Sequence, residues 1–228
     1  ALGPGYQFAT TISASGQLRD GVLRGDLIVR GSGDPTFSAR FADDSRAVFR
    51  SWADSLRARG ITQIQGGIVG VDSVFPSPGL GAGWAWDDLV SGYSAEYAGL
   101  QFNEGVAQLQ IVPGSSVGAP AVVMLDPPLQ HVRIYNLTTT GFAGSPLELM
   151  IRRDDSGPGI TVEGNVPEDT AYLARTIAVR NPTAYFLSAM RETLREAGIA
   201  VEGQALPAED WPIDRTGVVE MQLFTHRS

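Results

Sequence analysis

Glycine and proline divide this chain into short apolar runs, and this division limits its fold more than any other feature. The 228 residues include 27 glycines and 14 prolines, which interrupt helices and strands and mark turns. Short runs between turn residues favour many strands and few helices. Because 43% of the residues are hydrophobic, the chain can still build a sizeable core. We therefore expect a folded, strand-rich protein with a small number of helices.

Two segments have the spacing of an amphipathic helix. The first lies within residues 44–59, and the second begins at Asn181 and Pro182, where proline suits the first helical turn. Their apolar stripes are Phe49, Trp52, Ala53 and Leu56 in the first helix and Phe186, Met190, Leu194 and Ala197 in the second. Each segment ends in a glycine followed by isoleucine, at Gly60 and Gly198, which is typical of a left-handed C-terminal stop.

A β-type run precedes each helix, at residues 26–30 and 175–179. Strand, helix and following strand make a β-α-β unit in both places, and we expect the two units to share one sheet. Residues 104–171 have alternating runs and no helical period, which predicts an all-β block. The predicted fold class is therefore α+β or α/β: a small α/β domain built from two β-α-β units, with an all-β domain inserted into it.

Two residue types are absent, and each absence excludes a kind of chemistry. The chain has no cysteine, so it forms no disulfide, thiol nucleophile or cysteine-ligated metal site. All 17 basic residues are arginine, so no lysine acts as a base or phosphate ligand. A net charge of −8 argues against nucleic acid as a partner, and the apolar runs are too short to span a bilayer. We expect no cofactor, no metal, no nucleic acid and no transmembrane segment.

Nucleophilic catalysis by serine or threonine needs a positioned base, and His131 and His226 are the two histidines available. His131 lies in an apparent strand, where a structural role is typical. Around Ser32 and Ser94 the glycine spacing of a nucleophile elbow is incomplete. We predict no catalytic residue in this chain.

One loop, residues 83–89, combines two tryptophans with two carboxylates. Large aromatic side chains are unusual in a loop unless they pack or bind something, and the sequence leaves both interpretations open. A hydrolase that uses Asp87 and Asp88 as a carboxylate pair is a remote alternative, because adjacent side chains tend to point apart.

Short motifs follow one another in the order seen in one enzyme family. They occupy residues 2–8, 21–27, 31–37, 67–72, 83–88, 93–95, 102–104, 136–139 and 175–179. With these motifs the chain resembles the penicillin-binding D-Ala-D-Ala carboxypeptidase/endopeptidase family, in the low-molecular-mass class with a large two-domain insert.

Three catalytic motifs of that family, Ser-x-x-Lys, Ser-x-Asn and Lys-Thr-Gly, are absent from this sequence. We therefore expect the chain to be the insert region of a larger enzyme and to be inactive by itself. The expected domains are residues 1–30 with 212–228 as edges of the penicillin-recognising domain, 31–103 with 172–211 as the α/β insert domain, and 104–171 as the β-rich domain nested in it.

The resemblance implies that the larger enzyme is a serine-type hydrolase of bacterial peptidoglycan, periplasmic or extracellular. Its implied partners are the peptidoglycan stem peptide and the remainder of the penicillin-recognising domain. It also implies that Asp88 holds the free amino group of the diamino acid side chain, with Trp84 as an aromatic wall beside it. Preference for carboxypeptidase or endopeptidase work stays open. A different class, a stand-alone module that binds cell-wall fragments or a protein without catalysis, is the alternative.

Overall fold

The computed structural model describes residues 3, 5–42, 44–75, 79–154, 157–212 and 218–228. The chain divides into two compact units. The first joins residues 1–79, 97–104 and 182–228, and the second joins residues 80–96 and 105–181. The assignment of the outermost segments to a separate penicillin-recognising domain stays a prediction.

A five-stranded sheet forms in the first unit. Numbered along the chain and given in spatial order, its strands are β14 (Ala205–Pro207), β6 (Ile68–Val71), β4 (Leu27–Arg30), β1 (Ala9–Ser15) and β15 (Glu220–Arg227). Strands β14, β6 and β4 run parallel, whereas β1 is antiparallel to both of its neighbours. Leu27, Ile28 and Val29 are fully buried, as expected for a strand covered on both faces.

A second, smaller sheet belongs to the same unit. Its spatial order is β13 (Ala200–Val201), β5 (Gln63–Ile64), β3 (Val22–Arg24) and β2 (Gln17–Arg19). Strands β2 and β3 form a hairpin through Asp20 (φ 51°) and Gly21 (φ 82°). An Asp-Gly pair with both residues at positive φ is the connection that two-residue hairpins favour.

The two helices, α1 (Ala47–Ala58) and α2 (Pro182–Glu196), carry the aromatic core of the first unit. Every predicted stripe residue of both helices is buried except Ala197, which follows α2 and is half-buried. The rings of Phe49 and Phe186 pack edge to face with their centroids 4.9 Å apart, and the centroids of Phe37 and Phe186 are 5.0 Å apart. The predicted packing faces are thereby confirmed.

Both helices end with the predicted glycine stop. After α1, Gly60 takes φ 78°, and the amides of Gly60 and Ile61 donate to the carbonyl oxygens of Arg57 and Leu56 at 2.8 and 3.0 Å. After α2, Gly198 (φ 84°) and the next amide make the equivalent pair of bonds. These two bonds satisfy carbonyls that the helix end leaves open.

The second unit is built from strands, as predicted for residues 104–171. One sheet has the order β10 (Glu148–Arg153), β11 (Gly159–Pro167), β9 (Arg133–Gly141), and the other has the order β12 (Leu173–Ala178), β7 (Val106–Val112), β8 (Val122–Asp126). Strands β9 and β11 are parallel, and the other pairs are antiparallel. The fold class is therefore α+β, as the sequence predicted.

The second predicted β-α-β unit takes a different form. Strand β12, before α2, pairs antiparallel with β7 and not with the strands that follow α2. Those strands pair in parallel with the strands that follow α1: β13 with β5, and β14 with β6. The two helix-to-strand segments therefore share their sheets, while the strand before α2 belongs to the second unit. Periodicity identifies a strand, but the choice of its partner depends on residues far away in sequence.

Candidate functional site

The loop of tryptophans and carboxylates folds into consecutive tight turns. It contains two short 3₁₀ segments, Trp86–Val90 and Gly92–Ser94. The Asp88 amide donates to the Ala85 carbonyl at 3.1 Å, and the Ser91 amide donates to the Asp88 carbonyl at 2.8 Å. These local bonds give a defined shape to a segment that the sequence predicted only as a loop.

Asp88 is held through both its side chain and its backbone. The Tyr93 hydroxyl donates to Asp88 Oδ1 at 2.5 Å, and the Ser94 hydroxyl donates to the Asp88 carbonyl oxygen at 2.5 Å. Ser94 is fully buried, whereas Asp88 is half-buried. The carboxylate is thus fixed in position and still reaches solvent.

Tyr93 is a site residue to which the sequence assigned no role. The hydrogen bond to Asp88, with a smaller contribution from the charge of Asp87, raises the pKa of the Tyr93 hydroxyl. The phenol therefore stays protonated at neutral pH and acts as the donor to Asp88. Its place five residues after Asp88 was the available signal, but only the two 3₁₀ turns bring the side chains together.

The two tryptophans of the loop differ in their surroundings. Trp84 is half-buried, and its indole lies against Gly81, where a Cβ atom would approach Trp84 Cε2 to 2.7 Å. Trp86 is 80% exposed. The packing interpretation therefore applies to one face of Trp84, and Trp86 presents the larger free aromatic surface beside Asp88.

A buried ion pair contacts the same segment from within the second unit. Arg153, the last residue of β10, donates through Nη2 to Glu96 Oε1 at 2.5 Å and through Nη1 to the Leu89 carbonyl oxygen at 3.2 Å. The Arg153 and Glu96 side chains are 12% and 9% exposed. Sequence reasoning missed both residues, because they lie 57 positions apart and form no recognisable motif.

Both histidines lie among backbone or core groups and not in the loop of tryptophans and carboxylates. His131 lies in the turn before β9, so the predicted strand position is wrong, and its Nε2 is 3.1 Å from the Arg180 carbonyl oxygen. His226, on β15, lies 3.8 Å from Asp34 Oδ2, and its ring contacts Phe37 and Trp52. Burial lowers the pKa of both histidines, opposed by the Arg180 carbonyl for His131 and by the Asp34 charge for His226.

One formal nucleophile-elbow pattern escaped the sequence reasoning. Residues 114–118 read Gly-Ser-Ser-Val-Gly, with Ser116 in the nucleophile position. The motif requires a strand-to-helix turn, whereas residues 114–118 lie in the connection between strands β7 and β8, which pair with each other. The structural context does not fit this motif.

The described ranges contain no group of three or more His, Cys, Asp or Glu side chains placed to hold a metal ion. Within the same ranges, no helix has both the length and the apolar character needed to cross a membrane.

Comparison with known proteins gives the family. Residues 1–222 match the model of the D-Ala-D-Ala carboxypeptidase 3 (S13) family. A D-alanyl-D-alanine carboxypeptidase of Actinomadura sp. (strain R39) is 31% identical over 221 residues, which are 92% of this chain and 39% of that protein. The D-alanyl-D-alanine carboxypeptidase DacB of Haemophilus influenzae is 26% identical over 211 residues, 90% of this chain and 42% of that protein.

Solved structures agree with these sequence matches. Penicillin binding protein 4 of Haemophilus influenzae superposes with a TM-score of 0.76 at 22% identity, over 98% of this chain and 46% of that chain. The same protein in complex with a β-lactam gives a TM-score of 0.67 at 19% identity, over 98% of this chain and 44% of that chain. This chain spans less than half the length of each of these relatives and shares the fold of the Haemophilus influenzae structures over that length. On the family match along nearly its whole length, the chain belongs to the D-Ala-D-Ala carboxypeptidase 3 (S13) family.

Proposed function

We propose that this chain is the substrate-recognition and accessory region of a serine-type D-Ala-D-Ala carboxypeptidase or endopeptidase that acts on bacterial peptidoglycan outside the cytoplasmic membrane. In this role the region lacks the reactive serine and does not hydrolyse the amide itself. Asp88 binds the side-chain ammonium of the diamino acid in the stem peptide, and Trp84 provides an aromatic wall. The rest of the penicillin-recognising domain supplies the catalytic groups.

The observation that carries the proposal is the Asp88–Tyr93 pair. A carboxylate that accepts one hydrogen bond from a phenol at 2.5 Å has further lone pairs for an ammonium donor. Because Asp88 is half-buried, a bond to a charged ligand is less screened than at an open surface. The indoles of Trp84 and Trp86 on the same turn offer apolar area for the aliphatic stem of a diamino acid.

The absent lysine supports the non-catalytic part of the proposal. Two of the three catalytic motifs of the family contain lysine, and this chain has none. We expect no covalent adduct when the chain is incubated with a fluorescent penicillin and resolved by denaturing electrophoresis. Stable labelling of the chain would overturn the accessory role, because it would show that one of its own side chains is acylated.

A ligand titration tests the recognition role. The indole N–H resonances of the chain are followed by NMR while a stem tripeptide ending in meso-diaminopimelic acid is added. The control ligand is the same tripeptide with its side-chain amine acetylated. Loss of one charge-assisted hydrogen bond predicts a Kd about tenfold or more higher for the acetylated peptide.

The matched variant is Asp88→Asn, which keeps the size and an acceptor for Tyr93 but loses the charge. We expect this variant to bind the two peptides equally, while Asp87→Asn, on the exposed neighbour, keeps most of the preference for the free amine. Equal binding of both peptides by the unsubstituted chain, or an unchanged preference in Asp88→Asn, contradicts the role of Asp88.

A further inference from the structure

We propose that the buried Glu96–Arg153 ion pair is the positioning device of the Asp88 site: it fixes the turn that carries Asp88 and Tyr93 to the strand framework of the second unit. As a statement about ligand selectivity this inference rests on the proposed function, but its structural part does not. Glu96 and Arg153 are positioning residues, since neither is assigned a contact with the ligand.

The first support is the connectivity of Arg153. One guanidinium nitrogen pairs with Glu96 and the other donates to the Leu89 carbonyl, which directly follows Asp88 in the chain. A planar guanidinium holds two acceptors in a fixed relation, which a lysine ammonium does not do equally well. Arg153 also lies in the β10–β11 ladder, opposite Ile160. The turn is therefore attached to a strand whose own position is set by backbone pairing.

The second support is the connectivity of Glu96. Its Oε1 accepts from Arg153, and its Oε2 accepts from the Asn181 amide at 3.1 Å. Asn181 has φ 55°, a conformation that non-glycine residues adopt only where surrounding contacts favour it. Glu96 thus joins the end of the Asp88 turn, β10 and the chain segment that follows β12.

The third support is the burial of the pair. Two charges that are nearly removed from solvent cost desolvation energy, and a hydrophobic pair of similar volume is often at least as stable. A buried ion pair therefore contributes geometric specificity more than stability. Here the ion pair fixes the position of one backbone group, the Leu89 carbonyl, which lies in the 3₁₀ turn that contains Asp88.

The turn that carries Asp88 also contacts strand β12, at a point different from the one that Arg153 holds. Ser91 forms an isolated antiparallel bridge with Ile177, and Gly92 lies so close to Thr176 that a Cβ atom would approach its Cγ2 to 2.7 Å. These contacts hold residues 91 and 92. Arg153 holds residue 89, so Asp88 and Tyr93 lie on either side of a segment fixed at two points.

The test uses the Tyr93 titration as a reporter that needs no ligand. Tyrosines labelled with ¹³C at Cζ are followed by NMR against pH, and Tyr93→Phe assigns the resonance. In the unsubstituted chain the pKa of Tyr93 lies above its ordinary value of 10.0, chiefly through the bond to Asp88. Asp88→Asn is the calibration, and it returns the pKa of Tyr93 towards 10.0.

The informative variants are Arg153→Met and Glu96→Gln, with Arg152→Met as the matched control. Arg152 is the preceding residue of the same strand, but its pair with Glu163 is more exposed, with the two side chains 55% and 30% exposed. We expect Arg153→Met and Glu96→Gln to lower the pKa of Tyr93 towards 10.0 and to reduce the preference for the free-amine peptide by about tenfold. Arg152→Met keeps both properties.

A third substitution, Arg153→Lys, covers the case in which Arg153→Met does not fold. This variant keeps a positive charge opposite Glu96 but cannot donate to Glu96 and to the Leu89 carbonyl in the same fixed geometry. We expect it to fold and still to lower the pKa of Tyr93 towards 10.0. An unchanged Tyr93 titration in folded Arg153→Met, Arg153→Lys and Glu96→Gln overturns the positioning role. If the unsubstituted chain binds no peptide while the titration changes as expected, the proposed ligand is wrong and the positioning role stands.

Discussion

The two units of this molecule differ in where their most buried and most exposed aromatic rings lie. In the first unit, aromatic rings from α1 and α2 fill the core, with Phe49 and Phe186 fully buried and 4.9 Å apart. Among the described residues, the three most exposed aromatic rings are Trp86 (80%), Phe142 (72%) and Tyr93 (67%), and all belong to the second unit. Buried rings stabilise a fold, whereas exposed rings are available to a ligand or partner. Substitutions in each unit test whether the buried rings of the first unit and the exposed rings of the second unit differ in this way.

The two units also differ in where they bury charged side chains. The first unit buries Asp34 beside His226 at 3.8 Å within an aromatic surrounding. The second unit buries a full ion pair, Glu96 with Arg153, directly connected to the turn of Asp88. The buried charge of the first unit therefore lies among aromatic rings of its core, and that of the second unit contacts the turn that carries Asp88.

The largest expected effect tests the aromatic core. Phe186→Ala removes a ring that contacts Phe37, Phe49 and Trp52 and should lower the free energy of unfolding of the first unit by about 3–5 kcal/mol. Amide hydrogen exchange in α2 measures the loss. The control Phe142→Ala, on the exposed ring of the second unit, should change stability by less than about 0.5 kcal/mol. Similar losses in both variants would remove the contrast between the units.

The next effect tests the buried ion pair. Arg153→Met removes the guanidinium that pairs with the buried Glu96 carboxylate and should destabilise the second unit by about 3 kcal/mol, as read from hydrogen exchange in β10 and β11. The double variant Glu96→Leu with Arg153→Met should recover most of that loss. Arg152→Met, which breaks the more exposed pair with Glu163, should cost less than about 1 kcal/mol. Equal costs for the two arginine variants would contradict the difference in burial.

A smaller effect concerns pH. Burial holds the pKa of His131 and His226 below the ordinary value of 6.5, so the unfolded chain takes up protons first as the pH falls. Stability from this source is complete above 6.5 and is lost as the pH falls below 6.5 towards the folded-state pKa values. Thermal unfolding between about pH 5 and 7.5 measures the slope. Because the two histidines lie in different units, His131→Gln should flatten the slope of the second unit, and His226→Gln that of the first. Unchanged slopes would contradict the effect of burial.

The smallest effect on stability should come from Tyr93→Phe. The ring is largely exposed, so loss of its hydroxyl should change the free energy of unfolding by less than about 0.5 kcal/mol. The free-amine preference of the site should nevertheless fall several-fold, because Asp88 loses the donor that fixes its carboxylate. A large loss of stability would show that Tyr93 belongs to the core of the second unit rather than to its contact surface.

Local signals predicted much of the fold. The α1 stripe of Phe49, Trp52, Ala53 and Leu56 is buried as predicted, and the stops at Gly60 and Gly198 form as predicted. The partner of β12 was not predictable in this way, because its sequence suits a strand in either unit. The site roles of Trp84 and Asp88 stay predictions. The contacts that Tyr93, Glu96 and Arg153 make with this segment had no counterpart in the sequence analysis.

The sequence by itself determined the helices, their ends, the all-β block and the absence of lysine and cysteine chemistry. These properties depend on residue types and on spacings within one or two turns, where the interacting groups are neighbours in the chain. Only the tertiary structure decided that β12 pairs with β7, that Trp86 rather than Trp84 is the exposed indole, and that Arg153 joins Glu96 to Leu89. The first and third outcomes depend on groups distant in sequence, and the exposure of the two indoles depends on how the loop folds. Burial and charge compensation are defined only once the chain brings these groups together.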